Sequence, residues 1–383
     1  MPKIIEYLYI LAVCLYWLQY AIVLISLFRP VALSTQEEHP GNVVIIIPAY
    51  NAGQTIQNAV KSWYRCSPTP GKIIVIDDGS TDQTAEQAKA LQREIPILHV
   101  FSKPNQGKAR TLNFALTLLS NEELLVFADA DTMPEPDALK HLIGPFANRE
   151  IVAVSANRRT DTSMPPHLRL LLDLEHVTGA NLTRNIGNSW RWQIGLSGVL
   201  AAFRKSALIE VGGFPEVLSE DTSITLGLQK VGITVYAPMA IAHTKLHNEA
   251  HSSLEQHRRW LLGAIQAVIA YVPRSPSQWS SLSYGILYFL TFRILLPLIA
   301  PFSDYFAIYL LLTHQWSYLG IAVVMYLAPS ITIGIIAILL DHYPTKSLFV
   351  LPLVQCIVRQ YTIALILYIA WRTIARTPIK WQA

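Results

Sequence analysis

Cysteine is nearly missing from this sequence. Of the three present, Cys14 and Cys356 lie in apolar stretches and Cys66 stands alone, so the chain offers neither a disulfide framework nor a cysteine-based metal spacing. Charge is scarce as well: 15% of the residues are Asp, Glu, Lys or Arg against 52% hydrophobic, and the formal net charge is +4. The basic residues are scattered, without the cluster that would grip a phosphate backbone, which excludes nucleic acid as a partner. A cleavable leader is not expected, because the N-terminal apolar run is longer than a signal peptide's and carries no small-residue cleavage site.

The abundant apolar residues sit at the two ends. Residues 4–28 carry one charge, Glu6, and residues 282–370 are apolar apart from Arg293, Asp304, Asp341, Lys346 and Arg359. A hydrocarbon core of about 30 Å needs about 20 helical residues, so residues 1–30 read as a transmembrane anchor. Residues 282–371 read as three or four further spans: 282–301, 318–340 and 348–370, with 303–313 as a short extra one turning back at Pro301–Asp304. Arg372, Arg376 and Lys380 favour a cytosolic tail at 372–383, and with the central soluble domain also cytosolic this requires an even number of C-terminal spans, hence one plus four. Residues 241–281 carry Trp260, Tyr271 and Trp279 and read as interfacial helices. The polar or charged Arg293, Asp304 and Arg359 either line a translocation lumen or pair within packed helices.

Residues 41–240 have the composition of an ordinary soluble domain. Val43-Val44-Ile45-Ile46-Ile47 is too continuous for a half-exposed strand, and residues 73–76 and 124–128 repeat it. Helical periodicity over 54–64, 81–93 and 107–119 separates these runs, so the expectation is βαβ units and a mainly parallel sheet. Ligands of such a sheet bind beyond the carboxyl ends of its strands.

Those ends are polar. The first is followed by Pro48-Ala49-Tyr50-Asn51, the second by Asp77-Asp78-Gly79-Ser80, and the third by Asp129-Ala130-Asp131. Side chains two apart on an extended chain point the same way, so Asp129 and Asp131 suit a hard cation such as Mg²⁺ or Mn²⁺ shared with a substrate diphosphate. Asp-Asp-Gly-Ser is equally ordinary turn chemistry. Further on, Ser219-Glu220-Asp221 opens a helix, where Ser219 reads as an N-cap and the acids suit the helix dipole. Asp221 stands apart from the cation-binding acids and is the remaining candidate for a general base. Gln256-His257-Arg258-Arg259-Trp260 reads, alone, as snorkelling cations beside an interfacial Trp.

Taken in order, these motifs resemble those of the processive family 2 glycosyltransferases over about residues 43–266. The resemblance implies an α/β GT-A fold, with Pro48, Tyr50 and Asn51 near the nucleotide base and Asp77 and Asp78 at the uridine. It implies Asp129 and Asp131 at metal and diphosphate, Lys108 at the donor phosphates, and Ser219, Glu220 and the base Asp221 at the acceptor. Gln256, Arg259 and Trp260 would meet the diphosphate and the acceptor, with Trp260 as a stacking platform. Ser219 stands where the family has Thr, and no counterpart of the cellulose synthase gating loop follows Trp260. The stretch from Leu196 through Gly198 to Arg204 is closer to poly-β-1,6-N-acetylglucosamine, hyaluronan and chitooligosaccharide synthases. The expectation is therefore an inverting, plasma- or inner-membrane enzyme with a cytosolic catalytic domain that elongates and exports a β-linked polysaccharide from a UDP-sugar, with UDP-N-acetylglucosamine the expected donor. Membrane lipid and accessory export subunits are its expected partners. The alternatives are transfer of one sugar to a membrane lipid, and an inactive assembly subunit, which the presence of all five aspartates disfavours.

Overall fold

The computed structural model describes residues 3–29, 31, 33, 43–161, 164–245, 250–273, 275 and 279–374. The chain divides into two compact units. One comprises residues 32–165 and 191–272 and holds the sheet; the other comprises Met1–Val31, Pro166–Trp190 and Pro273–Pro378.

After an N-terminal helix α1 (Lys3–Leu27), the sheet unit runs β1 (Val43–Ala49), α2 (Ile56–Tyr64), β2 (Lys72–Asp77), α3 (Thr84–Leu91), β3 (Leu98–Ser102), α4 (Lys108–Thr117) and β4 (Leu124–Ala128). β1 pairs in parallel with β2 and β4, and β2 with β3, as the alternating pattern requires. In β1, Val43, Ile45 and Ile47 enter one hydrophobic core and Val44 and Ile46 the other. Both faces are covered, which is why the run is continuous rather than alternating.

Beyond β4 the sheet turns mixed. β5 (Thr132–Pro134), α5 (Ala138–Ile143) and β6 (Ile151–Thr160) follow, then the excursion α6 (Pro166–His176) and α7 (Leu182–Trp190), joined by a π-helical turn. The unit resumes with β7 (Leu200–Arg204), α8 (Lys205–Glu210), α9 (Glu220–Leu228), β8 (Ile233–Thr244) and α10 (Ala250–Tyr271). The strand order is β3-β2-β1-β4-β7-β6-β8-β5, with β7 antiparallel to β4 and β6, and β5 antiparallel to β8. Strand β8 continues four residues past the domain boundary expected at 240.

The second unit holds α1, α6, α7, α11 (Ser281–Tyr288), α12 (Leu296–Ile299), α13 (Pro301–Leu312), α14 (Trp316–Leu340) and α15 (Leu351–Ile374). Two expectations are corrected here. Pro166–Trp190, placed by sequence inside the catalytic domain, clusters with the apolar helices. And residues 303–313 are no separate span: Ser281–Leu312 is one helical stretch, giving four helices long and apolar enough to cross a membrane among the described residues, one plus three rather than one plus four. Ala300 keeps helical dihedrals (φ −54°, ψ −38°) between Pro297 and Pro301. A regular α-helix would drive the Pro297 ring against the Arg293 carbonyl; the turn before it is widened into a π-helix over Phe289–Leu295, which relieves that clash without a reversal.

The polar groups of this unit meet one another. Pro329 inside α14 has no amide hydrogen for the Met325 carbonyl, and the Trp17 indole N–H from α1 donates to that oxygen at 3.1 Å. Gln360 Nε2 donates to Asp304 at 2.9 Å, Asn181 Nδ2 to the fully buried Asp341 at 3.0 Å, and the Tyr343 hydroxyl to Asp173 at 3.1 Å. The Arg293 guanidinium lies so close to Gly179 that a Cβ there would stand 2.5 Å from it. Arg293 and Asp304 are thus engaged in helix packing; the Arg359 side chain lies outside the described residues.

Candidate active site

Three neighbouring parallel strands, β2, β1 and β4, deliver their carboxyl ends to one edge of the sheet. Asn51 takes a left-handed conformation (φ 51°), from which its amide donates to Ser80 Oγ at 3.0 Å and its Oδ1 accepts from the Thr81 amide at 2.9 Å. The loops after β1 and β2 are thereby tied into one surface, with Pro48 and Tyr50 half-buried beside it.

Asp77 and Asp78 are both 4% exposed. Asp77 accepts from the Ser80 amide at 3.1 Å, while Asp78 accepts from the amides of Gln106 (3.0 Å) and Gly107 (2.8 Å) and pairs with Lys103. Gly79 adopts φ +72°, and a Cβ there would stand 2.7 Å from the Asn105 amide nitrogen. Both the turn and the ligand readings of this motif bear on the same residues: Asp78 spends its oxygens on the loop that precedes Lys108, and so sets where α4 begins.

Pro48, Lys108, Asp129, Gly198, Glu220 and Asp221 line one cavity. Lys108 Nζ lies 2.6 Å from Asp129 Oδ1, 2.9 Å from the Gly198 carbonyl and 3.8 Å from Glu220 Oε1. Burial opposes its charge, yet Asp129 and Glu220 outweigh that and hold the ammonium above its ordinary value. Glu220 is raised by burial and by the neighbouring Asp221, with Lys108 pulling the other way. Asp131 is pushed up to about 6, by burial first and by Asp129 second, against a hydrogen bond from Thr244. Among the described residues no three His, Cys, Asp or Glu side chains converge on one point. Asp129 and Asp131 form a carboxylate pair, and such a pair fits a divalent cation that takes its other oxygens from a diphosphate and water.

Asp221 occupies the first turn of α9. Its Oδ1 accepts from Ser219 Oγ at 2.7 Å and from the Thr222 amide at 2.7 Å. Its Oδ2 faces Gly198, where a Cβ would intrude to 2.8 Å. Ser219 makes no side-chain bond to the helix backbone, so the N-cap expected of it is replaced by a bond to the carboxylate.

Gln256, Arg259 and Trp260 lie on α10, the first two half-buried and Trp260 40% exposed, with the His257 ring edge-on to it at 5.2 Å. Arg258 between them is 3% exposed and pairs with Glu255 at 3.0 Å, an internal bond that the snorkelling reading did not foresee. His243 sits on β8 against Glu135 at 3.1 Å; His247 and the His251 side chain lie outside the described residues. Gly198 and Gly263 were not singled out as site residues by sequence. Their signal, a glycine where a side chain would collide, exists only once the partners are placed.

Residues 44–212 match the family model described as Glycosyl transferase family 2. That stretch is a family 2 glycosyltransferase domain. The chain is 28% identical over 244 residues, 61% of its length and 74% of the relative's, to the O-antigen chain rhamnosyltransferase RfbN of Salmonella typhimurium. It is 25% identical over 233 residues to the poly-β-1,6-N-acetyl-D-glucosamine synthase of Staphylococcus aureus, a match covering 59% of this chain and 55% of that protein. Among solved structures, a mannosyltransferase from Pyrobaculum calidifontis in complex with GDP-Man and Mn²⁺ superimposes with a TM-score of 0.63 at 20% identity, over 88% of this chain and 99% of that one. The shared fold is the GT-A type expected from the motifs.

Proposed function

We propose that the chain is a membrane-bound, inverting glycosyltransferase that uses a UDP-sugar, with UDP-N-acetylglucosamine the first donor to test, to extend a β-linked saccharide. The observation that carries this reading is Asp221 Oδ2, which has no hydrogen bond among the described residues and stands against Gly198 in the lining of the cavity that also holds Lys108 and Asp129. Asp221 Oδ2 takes the proton of the acceptor hydroxyl as that oxygen attacks the anomeric carbon from the face opposite the diphosphate. Lys108, now drawn to Asp129 and Glu220, carries the charge that offsets the departing UDP. Pro48, Tyr50 and Asn51 form the surface for the base, with Asp77 and Asp78 fixing the loops around it. Asp129 and Asp131 would hold Mg²⁺ or Mn²⁺, whose chemistry is to neutralise the leaving diphosphate. Gln256, Arg259 and Trp260 present the acceptor side.

A second acceptor, a single membrane lipid, is favoured by a specific observation. Among the described residues three C-terminal helices, rather than four, are long and apolar enough to cross a membrane, and the polar residues Arg293, Asp304 and Asp341 pack against protein partners. Purified protein in lipid, given Mg²⁺ or Mn²⁺ and a panel of labelled UDP-sugars, separates the two by product size. A ladder or long polymer supports the synthase, a discrete glycolipid supports the lipid acceptor, and no transfer from any nucleotide sugar overturns both.

A further inference from the structure

Residues 256, 259, 260 and 263 are spaced i, i+3, i+4 and i+7, so Gln256, Arg259, Trp260 and Gly263 form one stripe on α10. At Gly263 that stripe meets the segment before α9 without clearance: a Cβ there would stand 2.7 Å from Ser219 Cβ, 3.1 Å from the Ser219 amide nitrogen and 3.3 Å from the Leu218 carbonyl carbon. The helix that carries the acceptor-side motif is thus pressed, backbone to backbone, onto the residue beside Asp221.

Ser219 in turn is bound to Asp221, not to the helix end. Its hydroxyl lies 2.7 Å from Asp221 Oδ1 and 2.9 Å from Thr222 Oγ1. With the Thr222 amide also on Oδ1 and the Thr222 hydroxyl at 3.5 Å, that oxygen has three donors, and the carboxylate plane is fixed with Oδ2 towards Gly198. The opposite wall is held by α9: Thr225 Oγ1 bonds the Asp221 carbonyl and accepts from the Leu196 amide at 2.9 Å, keeping the segment that leads to Gly198 in place.

We propose that Ser219 is a positioning residue for the general base, and that Gly263 exists so that α10 can seat Ser219 against Asp221, making the acceptor-side helix and the base one rigid assembly. This rests on the reading of Asp221 as the base. A hydroxyl is what the position requires, so Thr serves and Ala does not; a side chain at 263 acts on the base without touching substrate.

The experiment is steady-state kinetics of the full-length protein in lipid for Ser219→Ala, Ser219→Thr, Gly263→Ala and Asp221→Asn, with UDP binding and Tm measured on each. The expected result is a fall in kcat of roughly ten- to hundredfold for Ser219→Ala and Gly263→Ala, from one lost bond to a charged group. The donor KM, UDP affinity and Tm stay near wild type, Ser219→Thr recovers most of kcat, and Asp221→Asn is inactive. Full kcat in Ser219→Ala alongside an inactive Asp221→Asn overturns the positioning role alone. Turnover by Asp221→Asn overturns the base assignment beneath it. Should Gly263→Ala lose Tm and UDP binding as well, the Ser219→Ala and Ser219→Thr pair decides the question.

Discussion

In the proposed cation site Asp131 shares the cation with Asp129, and burial together with the Asp129 carboxylate discourages the charge of Asp131. Burial and Asp129 push Asp131 up to about 6. The raised value means that between about pH 4 and 6 the folded protein holds a proton that the unfolded chain has released, so this group's contribution to stability declines as pH rises through that window. If Asp131 holds the cation as proposed, binding must expel the same proton. Below about pH 6 the affinity for Mn²⁺ should therefore fall, approaching tenfold per unit, and calorimetry in buffers of different ionisation enthalpy should show close to one proton released at pH 5 and little at pH 7.5. Asp131→Asn should abolish both the binding and the proton release. An affinity flat from pH 5 to 7.5 would remove Asp131 from the metal site. The identities of Asp129, Asp131, Asp221 and Lys108 were legible because each follows a recognisable strand or opens a helix. Which oxygen of Asp221 is open was not, since that depends on Ser219, Thr222 and Gly198 arriving from different directions.

At the scale of elements, the β1, β2 and β4 runs announced themselves because strands buried on both faces must be apolar throughout. The later strands β6 to β8 were not distinguished, because mixed pairing leaves no single period to detect. The apolar helices show the reverse difficulty. Their length was plain, but Pro301–Asp304 suggested a reversal that the continuous helical stretch Ser281–Leu312 does not make. Pro329 raises the same issue in α14, and there the remedy comes from another helix, through Trp17 to the Met325 carbonyl. Trp17→Phe keeps the ring but removes the donor. It should cost about 1–3 kcal/mol, the penalty for a polar group left unpaired in apolar surroundings, and lower Tm in detergent, whereas Trp17→Phe combined with Pro329→Ala should recover much of the loss because α14 regains its own amide donor. Equal Tm for wild type and Trp17→Phe would show that the carbonyl does not depend on the indole.

For the whole molecule, the count of helices decides sidedness. If each of the four apolar helices crosses once, the sheet unit and the turn around His342 lie on one side, and the Gln315 turn and the tail lie on the other. The expected combination of a cytosolic tail with a cytosolic catalytic domain then fails, and Arg29 and Lys346 on the catalytic side offset Arg372 and its neighbours, so charge alone does not orient the chain. With the native cysteines replaced, a single cysteine at Gln315 should be labelled from outside intact cells by a reagent that does not cross membranes, and one at His342 should be labelled only after permeabilisation. The opposite pattern would place the sheet unit outside, away from nucleotide sugars, and refute the proposed reaction.

The sequence by itself determined an α/β domain with acidic strand termini between apolar ends, because strand burial, strand termini and helix length are local properties written in consecutive residues, and the order of its motifs resembled the family 2 glycosyltransferases. Only the tertiary structure decided that Pro166–Trp190 packs with the apolar helices, that Ser281–Leu312 is one helix, and that Gly198 stands against Asp221 and Gly263 against Ser219. Those facts depend on close approach between segments far apart in the chain, and a glycine's missing side chain carries meaning only when its neighbour is in place.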